Sequence, residues 1–154
     1  MADPAYANRR QHRHSDGTLV FKTREDERKE NAVAKILERA FDCTIHSYGS
    51  LAPVDYWAEK DGRIHGYFEI KCRSHESTRY PSVFLNVRKW CNLVNFSHTG
   101  YPSHFVVEFT DGVFCIDVHN IDPRDVVLGG TRARNDRNGY EPMINVPIAH
   151  MSRL

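Results

Sequence analysis

The chain lacks the marks of several large protein classes. No run of about 18 apolar residues is present, so no segment reads as a membrane-spanning helix. Residues 1–10 hold no apolar stretch of the kind a secretory signal needs. The expected location is the cytoplasm, that of a host cell if a phage or mobile element encodes the chain. Cysteine is scarce: Cys43, Cys72, Cys91 and Cys115 are scattered, with no CxxC pair. A disulfide framework is not expected from such spacing. Cys43, Cys91 and Cys115 stand among apolar neighbours and read as small hydrophobes. Nine histidines are present, yet neither HxxxH nor a Cys–His finger spacing joins them. His46, His65, His104 and His119 fall on or beside expected strands and read as sheet residues. Gly129-Gly130 has no lysine after it, so it is not a phosphate loop, and no GxSxG nucleophile motif occurs. An excess of one charge is missing too. The net charge of +1 leaves a nucleic-acid partner open, because an acidic metal site can offset a basic binding face.

What is present suits one soluble globular domain. The 154 residues can bury a single core, and 40% hydrophobic with 27% charged residues is an ordinary globular balance. Residues 1–20, which include Arg9, Arg10, His12, Arg13 and His14, are polar and without periodicity. They read as a flexible basic arm, whose contact with phosphates would fade with salt. Residues 21–154 read as the domain, with no internal repeat and no linker.

Residues 23–41 form the clearest helix. Thr23 can cap it, Glu25, Asp26 and Glu27 suit its positive first turn, and Val33, Ile36, Leu37, Ala40 and Phe41 recur at helical spacing. Glu30 lies at the edge of that apolar face, an expensive place for a lone carboxylate. Strand patterns follow at 43–48, 54–59 and 64–72, the last two joined by the Asp61-Gly62 hairpin signal. Residues 83–87 read as a short strand or a helix start. Residues 88–96 read as a helix with Trp90, Leu93 and Val94 on one side, and 104–110 with 113–118 as a hairpin around Asp111-Gly112. A short helix is expected from Asp122-Pro123 to Gly129-Gly130, then a polar basic loop at 131–140. An edge strand is expected at 143–148, interrupted by Pro147. One mixed sheet flanked by helices accounts for this order.

The chemistry concentrates in the hairpin of the second and third strands. Alternation puts Glu69 and Lys71 on one face of their strand and Phe68 and Ile70 on the other. Asp55 lies on the facing arm. Two carboxylates near a lysine suit a hard divalent cation, which takes oxygen ligands together with water and phosphate. The main-chain carbonyl of Ile70 is a natural further ligand. Such an ion lowers the pKa of bound water and stabilises charge on a phosphodiester. The triplet alone carries little weight, since Glu27-Arg28-Lys29 repeats it on the polar face of the first helix. Strand placement and Asp55 set Glu69-Ile70-Lys71 apart.

This arrangement resembles the PD-(D/E)XK nuclease superfamily, in its restriction-endonuclease-like and Holliday-junction-resolvase-like forms, over roughly residues 23–118. The matching pieces are the helix with Glu30, Pro53-Val54-Asp55, Tyr67-Phe68-Glu69-Ile70-Lys71-Cys72-Arg73, and Phe105-Val106-Val107-Glu108-Phe109 with Asp111-Gly112. Val54 separates the proline from the aspartate, so the literal Pro-Asp pair is absent. The resemblance implies an α/β fold with an αβββαβ core. It implies Mg2+ or Mn2+ held by Asp55 and Glu69, a water served by Lys71, and Glu30 reaching the metal directly or through water, with Asp26 as the fallback. Arg73, His75, Arg88 and Lys89 would contact the nucleic-acid backbone, as would basic residues at 9–13 and 132–137. The implied activity is hydrolysis of DNA by an endonuclease. A Holliday-junction or branched-DNA resolvase acting as a homodimer is the alternative within that class. A non-catalytic DNA- or protein-binding module, or a subunit of a larger nucleic-acid-processing assembly, is the alternative outside it. No membrane partner is expected.

Overall fold

A computed structural model describes residues 10–13, 19–22, 24–49, 52–129 and 140–154. Two short strands within or next to the expected arm, β1 (Arg10–Arg13) and β2 (Leu19–Lys22), pair antiparallel. Helix α1 (Arg24–Phe41) follows. Thr23, expected as its cap, lies outside the described residues. Three acids in the first turn and Arg39 in the last agree with the helix dipole. The buried stripe is Val33, Ala34 and Leu37, with Ile36 at its margin. Ala40 and Phe41, expected on that face, are exposed. The last turn overhangs the sheet, and the Phe41 ring rests beside Phe68 and His104 at the sheet margin. Asp42 ends the helix in the left-handed region (φ 50°), and the Cys43 N–H returns to the Glu38 carbonyl at 3.2 Å, closing its last turn.

The main sheet has six strands, β3 (Thr44–Ser47), β4 (Tyr56–Lys60), β5 (Arg63–Cys72), β7 (Ser103–Phe109), β8 (Gly112–Asp117) and β11 (Ser152–Arg153), in the order β11-β8-β7-β5-β4-β3. Asp61 (φ 53°) and Gly62 (φ 71°) turn β4 into β5 between the paired residues Lys60 and Arg63. Two consecutive positive φ values are what a two-residue turn matching strand twist requires. All neighbours are antiparallel except β5 and β7, which run parallel. Between β5 and β7 the chain crosses over through β6 (Ser82–Asn86) and α2 (Val87–Ser97). The expected mixed sheet flanked by helices is therefore present.

A second sheet was not expected. β6, β10 (Glu141–Pro147) and β9 (Val126–Gly129) pair antiparallel in the order β6-β10-β9. The segment expected as a helix at 122–129 ends in strand β9, and the expected edge strand at 143–148 is the middle strand. Pro147 is tolerated there because it occupies the final pair, opposite Ser82. The alternating Val83, Leu85, Ile144 and Val146 supply the reason: all four bury into one core with Leu93 of α2. Only a second layer gives them cover.

The sheet thus has two unlike faces. Val33 and Leu37 of α1 pack on Tyr56, Phe68, Ile70 and Val106. Leu93 of α2 and the second sheet pack on Tyr67, Phe105, Val107 and Ile116. All four cysteines are free, but Cys91 is exposed rather than packed as a small hydrophobe. No helix among the described residues is long and apolar enough to cross a membrane. Leu37→Ala should lower unfolding free energy by about 2–5 kcal/mol in a denaturant titration. Ala40→Ser, on the exposed side, should change it by less than about 0.5 kcal/mol.

Candidate active site

Strand β4 begins at Tyr56, paired with Phe68, so the last residues of β5 run past its end. Asp55 stands at that step, one residue before β4 rather than inside it. Three contacts fix its segment. Its carbonyl accepts from the Tyr48 N–H at 3.0 Å, Val54 is fully buried, and the Asn92 side chain of α2 donates to the Pro53 carbonyl at 2.8 Å. Because Phe68 and Ile70 pack beneath α1, Glu69 must point to the α2 side. There it meets Lys89, whose ammonium donates to Asp55 Oδ1 and to Glu69 Oε2, each at 3.0 Å.

The site is largely shielded: the Glu69 and Asp55 side chains are 13% and 23% exposed, that of Lys89 32%. Burial, and then the charge of Asp55, push the Glu69 carboxyl up to about 8, against the pull of Lys89. Burial also opposes the charge on Lys89, but the two carboxylates outweigh it and hold that ammonium above its ordinary pKa. The pair is therefore short of positive charge even with one lysine between its members.

The main chain adds a third oxygen. Tyr67 N–H donates to the Pro102 carbonyl at 3.0 Å and Arg73 N–H to the Glu108 carbonyl at 2.8 Å, both on the β7 side. Alternation then turns the Ile70 peptide groups to the opposite edge, where β4 has ended and Asp55 begins. Two carboxyl groups and a carbonyl form a donor set of the kind a hard cation takes, and a cation there would favour the ionised form of Glu69. Among the described residues no three His, Cys, Asp or Glu side chains converge, so the carboxylate part of the set is this pair.

Glu30 approaches from the other face. Its Oε2 accepts from the Tyr56 hydroxyl at 2.6 Å, beneath α1. Burial and that bond push the Tyr56 hydroxyl well above its usual range, so it stays a donor. Tyr56 adjoins Asp55, and Glu30 thus touches the residue next to the site. Asp26, the fallback, is exposed one turn earlier. Lys71 shares the face of Glu69 and donates to the Phe84 carbonyl of β6 at 2.8 Å. Its helical counterparts Arg28 and Lys29 are exposed on α1.

The remaining expected contacts divide. Arg73 is half-buried behind Cys72, and burial lowers its pKa. His75 donates from Nδ1 to the Glu76 carbonyl at 2.9 Å and packs on Tyr80 and Phe109. Arg88 pairs with Glu141 at 3.2 Å. Arg9 and residues 132–137 lie outside the described residues, as do the side chains of residues 10–13. Lys89, expected on the nucleic-acid backbone, stands between the two acids. Its signal was available, since it precedes the core residue Leu93 by four positions, as Glu30 precedes Ala34 and leads the stripe of α1. Tyr56 and Asn92 had no such signal; their roles depend on contacts between distant segments.

Comparison with known proteins gives the family and the fold. The family described as "Phage putative PDDEXK endonuclease" matches residues 18–154. Among solved structures the fold is similar to that of Hjc, a Holliday junction resolvase of the archaeal hyperthermophile Archaeoglobus fulgidus. The TM-score is 0.50 at 13% identity, over 80% of this chain and 96% of that one. No curated protein matches in sequence.

Glu69 also makes metal-free stability depend on pH. Its folded pKa is raised, so its contribution is fully favourable below about 4.5 and is lost as pH rises through about 8. In EDTA, Glu69→Gln should therefore gain stability relative to wild type as pH rises through that window, measured by denaturant melts at several pH values. A difference that stays constant with pH would contradict the assigned shift.

Proposed function

Since the chain belongs to the phage PDDEXK endonuclease family, we propose that it is a metal-dependent endonuclease hydrolysing DNA phosphodiester bonds, with Mg2+ or Mn2+ held by Asp55, Glu69 and the Ile70 carbonyl. The observation that carries this reading is the convergence of Asp55 Oδ1 and Glu69 Oε2 on a single cation at the open end of β4. A bound divalent ion would lower the pKa of water and neutralise charge developing on the phosphate. The chain's own groups do the rest. Lys71, two residues along the same face, orients the attacking water and holds charge beside the scissile phosphate. The Phe84 carbonyl takes one of its N–H groups and so sets where the others point. Glu30 acts from the far face as a positioning residue, holding Tyr56 and with it the start of β4. Val54, buried beneath the site, and Asn92, bound to Pro53, keep the Asp55 segment from drifting. Arg73, His75 and Arg88 would contact the backbone of the bound strand.

A second reading within the same chemistry is a resolvase of branched DNA, favoured by the likeness in fold to Hjc. A two-fold symmetric junction calls for a two-fold symmetric enzyme, so this reading requires a homodimer. A monomeric mass in solution, with four-way junctions left uncut, would exclude it.

Plasmid cleavage tests the first reading. Nicking or linearisation should appear with Mg2+ or Mn2+, disappear in EDTA, and fall roughly a hundredfold or more in Lys71→Ala, as expected for loss of a group acting on the nucleophile. Asp55→Asn and Glu69→Gln should be at least as inactive. If wild type and Lys71→Ala leave plasmid, linear, single-stranded and junction substrates equally intact, the enzyme reading fails. DNA binding indifferent to EDTA would then favour a binding module.

A further inference from the structure

Lys89 carries its charge where a helix disfavours it. It is the third residue of α2, in the first turn, where the dipole is positive and the helix has no acidic residue of its own. Its neighbour Arg88 turns outward to Glu141, whereas Lys89 turns inward and spans two carboxylates of separate segments. A local cost accepted at that position points to a task at the site rather than to helix stability.

The position of its ammonium is informative. Nζ lies 3.0 Å from Asp55 Oδ1 and 3.0 Å from Glu69 Oε2. A magnesium ion shared by the same oxygens would lie about 2.0–2.1 Å from each. The two cations therefore compete for one space, and their like charges exclude one another from it. We propose that Lys89 is a tethered counter-ion that occupies the cation position of the Asp55–Glu69 pair and must be displaced when a divalent ion binds. This rests on the metal-site reading given above and goes beyond it.

Two things follow for the site. In the metal-free protein, Lys89 bridges the two carboxyl groups, so the site stays assembled on its frame of Pro53, Asn92 and Tyr48. On binding of an ion the ammonium would leave on a flexible stem anchored in α2, carrying one positive charge away from the carboxylates. Metal affinity is weaker than the bare carboxylates would give, because each binding event breaks two charge-assisted hydrogen bonds. A purely structural role for Lys89 predicts the opposite sign: its removal would loosen the site and weaken metal binding.

The test is Mn2+ titration of the full chain without DNA, followed by the electron paramagnetic resonance signal of free Mn2+. Wild type, Lys89→Met, Lys89→Arg and Asp55→Asn are compared, each checked for folding by circular dichroism. Lys89→Met should bind Mn2+ on the order of tenfold or more tightly than wild type. Lys89→Arg, which keeps the charge, should show no such gain, and Asp55→Asn should lose binding. If Lys89→Met does not fold, Lys89→Gln carries the same expectation. Equal or weaker binding by the folded neutral variant, with wild type binding and Asp55→Asn not, would overturn the counter-ion role alone. Equal Mn2+ uptake by wild type and Asp55→Asn would overturn the metal-site reading and this inference with it.

Discussion

Two carboxylates of like charge, mostly shielded from water, must share space at the end of β5, and much of the surrounding structure answers that constraint. Asp55 and Glu69 come from segments 14 residues apart in sequence, and neither would settle beside the other without compensation. Lys89 supplies it at 3.0 Å to each. Even so, Glu69 is held far above the usual carboxylate range, because burial and Asp55 together exceed what one ammonium offsets. The site is in this sense electrostatically unfinished, a condition that suits the proposed uptake of a doubly charged ion.

The fold makes that arrangement rigid by ending one strand before its neighbour. β4 stops at Tyr56 while β5 continues to Cys72, which exposes a carbonyl edge and sets Asp55 beside it. The two faces of the sheet then divide the work. The α1 face is apolar under Val33 and Leu37, with Glu30 and Tyr56 at its rim, whereas the α2 face carries Glu69, Lys71 and Lys89. The second sheet completes the cover over Leu93 and brings the Phe84 carbonyl to Lys71. Thus an element that supplies none of the acids of the site positions the lysine of the triplet.

Much of this was legible in the residues. The Asp61-Gly62 turn, the alternation that separates Glu69 and Lys71 from Phe68 and Ile70, and the acidic start of α1 are local signals, and each appears where it was expected. Local signals failed where neighbours far along the chain decide. Val126 to Gly129 is apolar without alternation, so its length and composition did not separate strand from short helix, and its pairing with β10 decides. Ala34 is buried and Ala40 exposed because α1 meets the sheet over its middle turns only. Pro147 suggested a sheet edge, but the end of a central strand satisfies a missing donor equally well.

The sequence by itself determined the chemistry available: two acids and a lysine at strand spacing, a glutamate on the inward rim of a helix, and a further lysine four residues before a core leucine. These follow from side-chain periodicity, which is set by backbone geometry alone. Tertiary structure decided which of these groups meet. It placed Glu30 under Tyr56 on one face and Lys89 between Asp55 and Glu69 on the other, because the direction of a charged side chain depends on the burial and charge contributed by distant segments, and no local pattern encodes that sum.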